Sequence, residues 1–184
     1  MKKVIMGCLL SFLASSYSQA QEKEKFQFGV SYSLTGSENF FKTPISGNVQ
    51  FQLKKWDKID LSLGGKAFLF VSKEKSIFDN RWGYNPYLSA SHHFANTKLN
   101  GNFALGYYFD KSIFKQQLFG VISFPDELIK TNGLTVTLGI KYFVHPNFFI
   151  DSNLSALMAN TKYQSGFSES NTTLYFNIGT EVSF

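Results

Sequence analysis

Apolar and polar residues alternate along this chain with a period of two, not the 3.6 of a helix. The first run has Phe26, Phe28, Val30, Tyr32 and Leu34 on one side, with Gln27, Gly29, Ser31 and Ser33 between them. Further runs go from Ile45 to Leu53, Ile59 to Val71, Pro86 to Phe94, Leu99 to Phe109, Leu134 to Tyr142 and Phe148 to Met158. The last has Leu174, Phe176, Ile178, Thr180, Val182 and Phe184 against Tyr175, Asn177, Gly179, Glu181 and Ser183. Successive side chains on a strand point to opposite faces, so each run predicts a strand with one oily and one polar face. Each is about 10 residues, the length a tilted strand needs to cross a bilayer.

The connections carry a second pattern. Short links, from Lys54 to Lys58, Ala95 to Lys98 and His145 to Asn147, alternate with longer ones. The longer ones run from Thr35 to Pro44, Ser72 to Gly83, Asp110 to Gly133 and Ala159 to Thr173. Tight turns on one side and long loops on the other are the asymmetry of membrane barrels, and an even strand number places both chain ends at the tight-turn side. The expected fold is therefore all-β, an eight-stranded antiparallel up-and-down transmembrane β-barrel.

Alternation alone does not say which face is inside, so a soluble lipocalin-like barrel is the competing arrangement. Composition argues against it. The polar set is dominated by Gly, Ser, Asn and Thr, too sparsely charged for a water-facing surface. The chain also holds 21 Phe and 9 Tyr with only 4 Pro.

The first 20 residues have a different layout. Lys2 and Lys3 precede an apolar run from Val4 to Ala14, and Ser18-Gln19-Ala20 offers small residues at a peptidase site. This predicts a secretory signal over 1–20, cleaved between Ala20 and Gln21, and a barrel domain over 21–184. Cys8 is the single cysteine, so the mature chain would have no disulfide or thiolate chemistry. Two lysines and no acid leave with the signal, taking the formal charge from +5 to +3. That mild, dispersed excess gives no nucleic-acid footprint. No cofactor motif is present, and Gly64-Gly65 falls within a strand rather than in a phosphate-binding loop. His92 and His93 are adjacent in a strand and point to opposite faces, so no metal site is expected from them.

The final run, Tyr175 to Phe184, resembles the assembly signal of bacterial outer-membrane proteins, with Tyr175, Ile178, Val182 and the terminal Phe184 as its elements. Together with the signal sequence and eight strands, it makes the chain similar to the small OmpX/OmpA-type barrels. The resemblance implies a multi-pass protein of a Gram-negative outer membrane, whose partners are outer-membrane lipid and the barrel-assembly machinery.

If the oily residues face lipid, the remainder line the lumen. The inward charges are then Asp60, Lys66, Lys141, Asp151 and Glu181, all but Lys66 in the periplasmic half. The inward aromatics Phe68, Phe70, Tyr87, Tyr108 and Tyr175 all fall toward the outside. This predicts a charged floor beneath an aromatic upper layer. The floor reads as an ion-paired plug or a gated narrow pore. The upper layer reads as filling or as a cup for a small hydrophobic molecule. Trp56, Trp82, Tyr84, Tyr107 and Tyr142 are expected in aromatic girdles at the membrane boundaries. The apolar content of the loop from Asp110 to Gly133 suggests a partner surface for an extracellular ligand, or a lid. His92, His93 and His145 fall on the periplasmic side, away from outer-leaflet lipid, so lipid-modifying catalysis is not expected. The function expected is that of a non-enzymatic barrel acting through its extracellular loops in envelope integrity, adhesion or surface recognition. The alternative is a narrow channel or carrier for small or hydrophobic solutes.

Overall fold

The computed structural model describes residues 26–35, 41–74, 77–115, 117–118, 122–123 and 126–184. The expected signal, with Ala20 and Gln21, lies outside the described residues, as do Phe119, Val121 and Phe124 of the long loop. Eight long strands form: β1 (Phe26–Thr35), β2 (Ile45–Lys55), β3 (Ile59–Phe70), β4 (Arg81–His93), β5 (Leu99–Phe114), β6 (Glu127–His145), β7 (Phe148–Tyr163) and β8 (Ser168–Ser183). Each pairs antiparallel with the next, and β8 returns to β1 to close the ring. A two-residue ribbon, 117–118 against 122–123, lies between β5 and β6.

Burial follows the alternation, inverted relative to a water-soluble protein. Val30, Leu134 and Leu138 are 60%, 58% and 59% exposed on the outer wall. Ser33, Ser46, Ser89 and Asn177 are fully buried within. A continuous apolar outer face of this kind is matched by hydrocarbon, not by water, and a closed ring leaves no unpaired edge within it. This overturns the soluble alternative, whose oily side chains would converge on the axis.

The two ends of the barrel differ. At one end lie both terminal strand ends and the turns after β2, β4 and β6. The turn after β4 uses Asn96 at φ 61°, a left-handed conformation that Asn tolerates better than most residues. At the other end β5, β6, β7 and β8 rise past their neighbours. Pairing of β5 with β6 continues to Phe114 opposite Glu127, whereas β1 leaves β8 at Thr35 opposite Tyr175. The connection expected from Ala159 to Thr173 is mostly strand. Pairing continues to Lys162 opposite Ser168, and residues 164–167 make a tight turn around Gly166, at φ 93°. Likewise β4 starts at Arg81, five residues ahead of the expected Pro86.

Candidate functional site: the lumen and its outer cover

The lumen is built from short polar side chains, which suit the narrow space inside eight strands. Ser31 and Ser46 share a 2.7 Å hydrogen bond, Ser33 donates to Asn177, and Asn177 donates to Asn153 at 2.8 Å. Thr135 donates to Asn85 at 3.0 Å. Polar groups removed from water need such partners, and the alternation places them in rings at matching heights.

Within this polar lining the five charged positions take different roles. Lys141 and Glu181 form an ion pair at 2.5 Å, with side chains only 5% and 7% exposed. Lys141 also donates to Gln27 at 3.0 Å, and Asn48 donates to Glu181 at 2.9 Å. Asp151 lies directly across β6–β7 from Lys141 and accepts a 2.5 Å hydrogen bond from Asn153. Lys66 sits higher, its ammonium 5.4 Å from the Phe68 ring centre, and among the described residues it makes no ion pair within 4 Å. Asp60 stands apart near the lower rim, accepting from Gln52 at 3.3 Å.

Two spaces flank the ion pair. The outer one is lined by Lys66, Tyr87, Tyr108, Asp151, Tyr175 and Glu181. The inner one is lined by Gln52, Asp60, Lys141, Phe143 and Phe149. Each is a cavity of about 60 Å³. At roughly 10–15 Å³ per water, that is a small cluster of waters in each space. Lys141 belongs to the inner lining and Glu181 to the outer, so the pair stands as a septum between them.

The aromatic layer needs one correction. Phe68, Phe70, Tyr87, Tyr108 and Tyr175 do point inward in the outer half, but Phe143 and Phe149 also point inward below the ion pair. Their rings meet edge to face at 4.7 Å, and Phe149 is 3% exposed. The floor is therefore charged and aromatic together. Two of the upper rings rest on glycines. A Cβ at Gly64 would overlap the Tyr87 ring, and one at Gly83 would overlap the Tyr108 ring. Leaving out the side chain on one strand makes the niche for a ring from the next. Tyr175 faces the lumen, opposite to Ile178, Val182 and Phe184, so the residues of the expected assembly signal are split between the two faces.

Above these rings the loops contribute a cover that the sequence reading did not anticipate. Phe41, from the β1–β2 connection, bridges to Ser72, and Phe78, from the β3–β4 connection, bridges to Phe114. Phe41 and Phe78 join Phe70, Tyr108, Leu157 and Ala159 in one buried cluster. Arg81 lies among them, its guanidinium 3.9 Å from the Phe70 ring and 4.7 Å from the Phe41 ring. Its Nε is 3.5 Å from Asp110, which accepts a 2.6 Å hydrogen bond from the Tyr108 hydroxyl. Charge thus occurs at the outer mouth as well as at the floor. The available signal was the apolar residues Phe41, Ile77 and Phe78 within otherwise polar connections.

On the outer wall, Trp56, Trp82, Tyr84, Tyr107 and Tyr142 are all exposed. His92, His93 and His145 are exposed at the rim that holds the chain ends. His93 Nδ1 lies 2.6 Å from the Asn100 side chain. Among the described residues no three His, Cys, Asp or Glu side chains gather as a metal site would require.

A closed eight-stranded ring with an oily wall and a polar, plugged lumen is the architecture of small outer-membrane barrels of the OmpA/OmpX type, and solved structures of that class superimpose on this chain. One is Ail, the attachment invasion locus protein of Yersinia pestis, at 16% identity and TM-score 0.59, covering 88% of this chain and 97% of that one. Neisserial surface protein A matches at 13% identity and TM-score 0.55, over 88% and 97% of the two chains. The N-terminal β-barrel domain of Pseudomonas aeruginosa OprF matches at 14% identity and TM-score 0.54, over 87% and 97%. At these identities the likeness is one of fold. No protein-family model matches the sequence, and no curated protein does.

Proposed function

We propose that this chain is a non-enzymatic barrel of a Gram-negative outer membrane that acts at the cell surface through the structure above its outer rim. The observation that carries this reading is the asymmetry of the two ends. The lumen is occupied by paired side chains and covered by Phe41, Phe78 and Arg81, while β5–β8 continue upward as a paired, solvent-facing sheet. Material spent above the membrane, over a filled bore, suits recognition or adhesion better than transport. Ail is an attachment invasion locus protein and has been solved in complex with the heparin analogue sucrose octasulfate, which supports surface recognition as a role for this fold. The histidines lie at the opposite rim, away from outer-leaflet lipid. Signal removal at Ala20, delivery by the barrel-assembly machinery through the Tyr175–Phe184 strand, and a ligand contact in the 110–133 region belong to the same proposal.

The septum supports one second reading, a narrow channel that opens when Lys141 and Glu181 part. Planar-bilayer recordings on folded protein separate the two. A silent barrel that migrates faster unboiled than boiled on a gel, and whose outer loops are cut by protease added to whole cells, is the expected result. Discrete ion-dependent openings would overturn the surface reading in favour of the channel.

A further inference from the structure

Three lysines form a row across the outer wall. Lys111 on β5 is directly opposite Lys130 on β6, which is directly opposite Lys162 on β7. All three are exposed on the outward face, while Asp110, Ser112 and Thr161 beside them turn inward and are buried. With strands about 4.8 Å apart, the row spans roughly 10 Å. Like charges directly opposite in a sheet destabilise it. None of the three pairs with a carboxylate among the described residues. The rung below holds Tyr84, Phe109, Asn132, Asn160 and Ser170, and the next holds Tyr107, Leu134, Met158 and Thr172. The row therefore stands just above the oily belt on the outward face of the wall, three residues short of the Phe114–Glu127 end of the β5–β6 pairing, with the amides of Asn132 and Asn160 beneath.

We propose that Lys111, Lys130 and Lys162 form a binding strip for the phosphorylated headgroup of an outer-leaflet glycolipid. The height puts the strip where the acyl belt gives way to headgroups. Its place on the outward wall, short of the rim, favours a lipid neighbour over a ligand arriving from solution. Phosphate charge would also relieve the repulsion within the row. This inference rests on the outer-membrane reading above, because it needs β5–β8 to rise on the outer-leaflet side.

The sequence has two tryptophans, and Trp82 is paired directly with Lys111 at the end of the row. Trp56→Phe therefore leaves one reporter at the strip. That variant, refolded in phosphatidylcholine vesicles, is titrated with bisphosphorylated lipid A, dephosphorylated lipid A and heparin, following Trp82 fluorescence. The expected response is to the bisphosphorylated lipid alone. Adding Lys111→Gln, Lys130→Gln and Lys162→Gln weakens it by about a hundredfold, roughly fivefold per lysine. Removing the same charge at the other rim, with Lys54→Gln, Lys55→Gln and Lys58→Gln, leaves it intact. Should the triple variant not fold, Lys130→Gln alone carries the roughly fivefold loss. Equal response to both lipids, an unaffected strip variant, or lysine-dependent binding of heparin without lipid A each overturns the proposal. Gel mobility on the same samples separates the levels. A protein with no heat-modifiable barrel sinks the outer-membrane reading and the strip with it, whereas a folded barrel blind to phosphate sinks the strip alone.

Discussion

Replacing Lys141 with methionine removes one half of the septum and strands the other. Glu181, 7% exposed at its side chain, would keep the hydrogen bond from Asn48, with Lys66 as the cation left lining the same space. Breaking a buried pair from one side typically costs about 3–5 kcal/mol, because a charge is left in a poorly polarisable place. The spaces on either side can hold small clusters of water, which pulls the expected cost to the lower end, about 3 kcal/mol. Against a total stability of about 5–15 kcal/mol, that is a large loss. The double variant Lys141→Met, Glu181→Met removes both charges together and is expected to recover most of it. Urea unfolding of wild type, Lys141→Met, Glu181→Met and the double variant in lipid vesicles, followed by tryptophan fluorescence, gives the coupling energy, expected above about 2 kcal/mol. If Lys141→Met lies within about 1 kcal/mol of wild type, the pair is as screened as one on a surface, and the septum is not a stabilising plug.

Three further outcomes follow from the geometry. Gly64→Val would push the Tyr87 ring out of its niche at about 1–3 kcal/mol, whereas Gly65→Ala next to it, facing open space, is expected to be neutral in the same unfolding assay. Arg81→Ala would remove two ring contacts and the link to Asp110, and limited proteolysis should then cut the 71–80 connection faster while the barrel band persists. Phe184→Ala is expected to lower the yield of assembled barrel in cells without slowing refolding in vitro, since Phe184 is 74% exposed and contributes little to packing.

The sequence made the barrel legible because lipid imposes the alternation. Where that pressure ends, so does the signal. Above the belt, the outward residues of β6–β8 are Lys130, Asn132, Asn160, Lys162, Ser170 and Thr172, while the inward ones mix Ile129 and Ala159 with Thr131, Thr161 and Asn171. With no oily face turned outward, the pattern that marks the lower strands is lost although the hydrogen-bond ladder continues, so the upper parts of β7 and β8 read as loop from sequence alone. The inward charges were readable from parity alone, but which of them meet was not. Lys141 and Glu181 are brought together across the bore from β6 and β8, a distance that parity does not encode. The cover was missed for another reason. Phe41 and Phe78 lie in connections, where periodicity says nothing about direction, and Arg81 gains its place only from the rings those connections bring in.

The seam between β1 and β8 has a consequence for how the molecule comes into being. Gln27 pairs with Ser183, and the Phe184 amide donates to the Phe26 carbonyl at 2.9 Å, so the earliest strand waits for the latest. Until that meeting, every partial sheet has two raw edges that would bind any extended chain nearby. A structure whose defining contact joins its most distant segments cannot mature piecemeal during synthesis. On the outer-membrane reading, the polypeptide stays unpaired until it reaches lipid, so that arrival and completion of the fold become a single event.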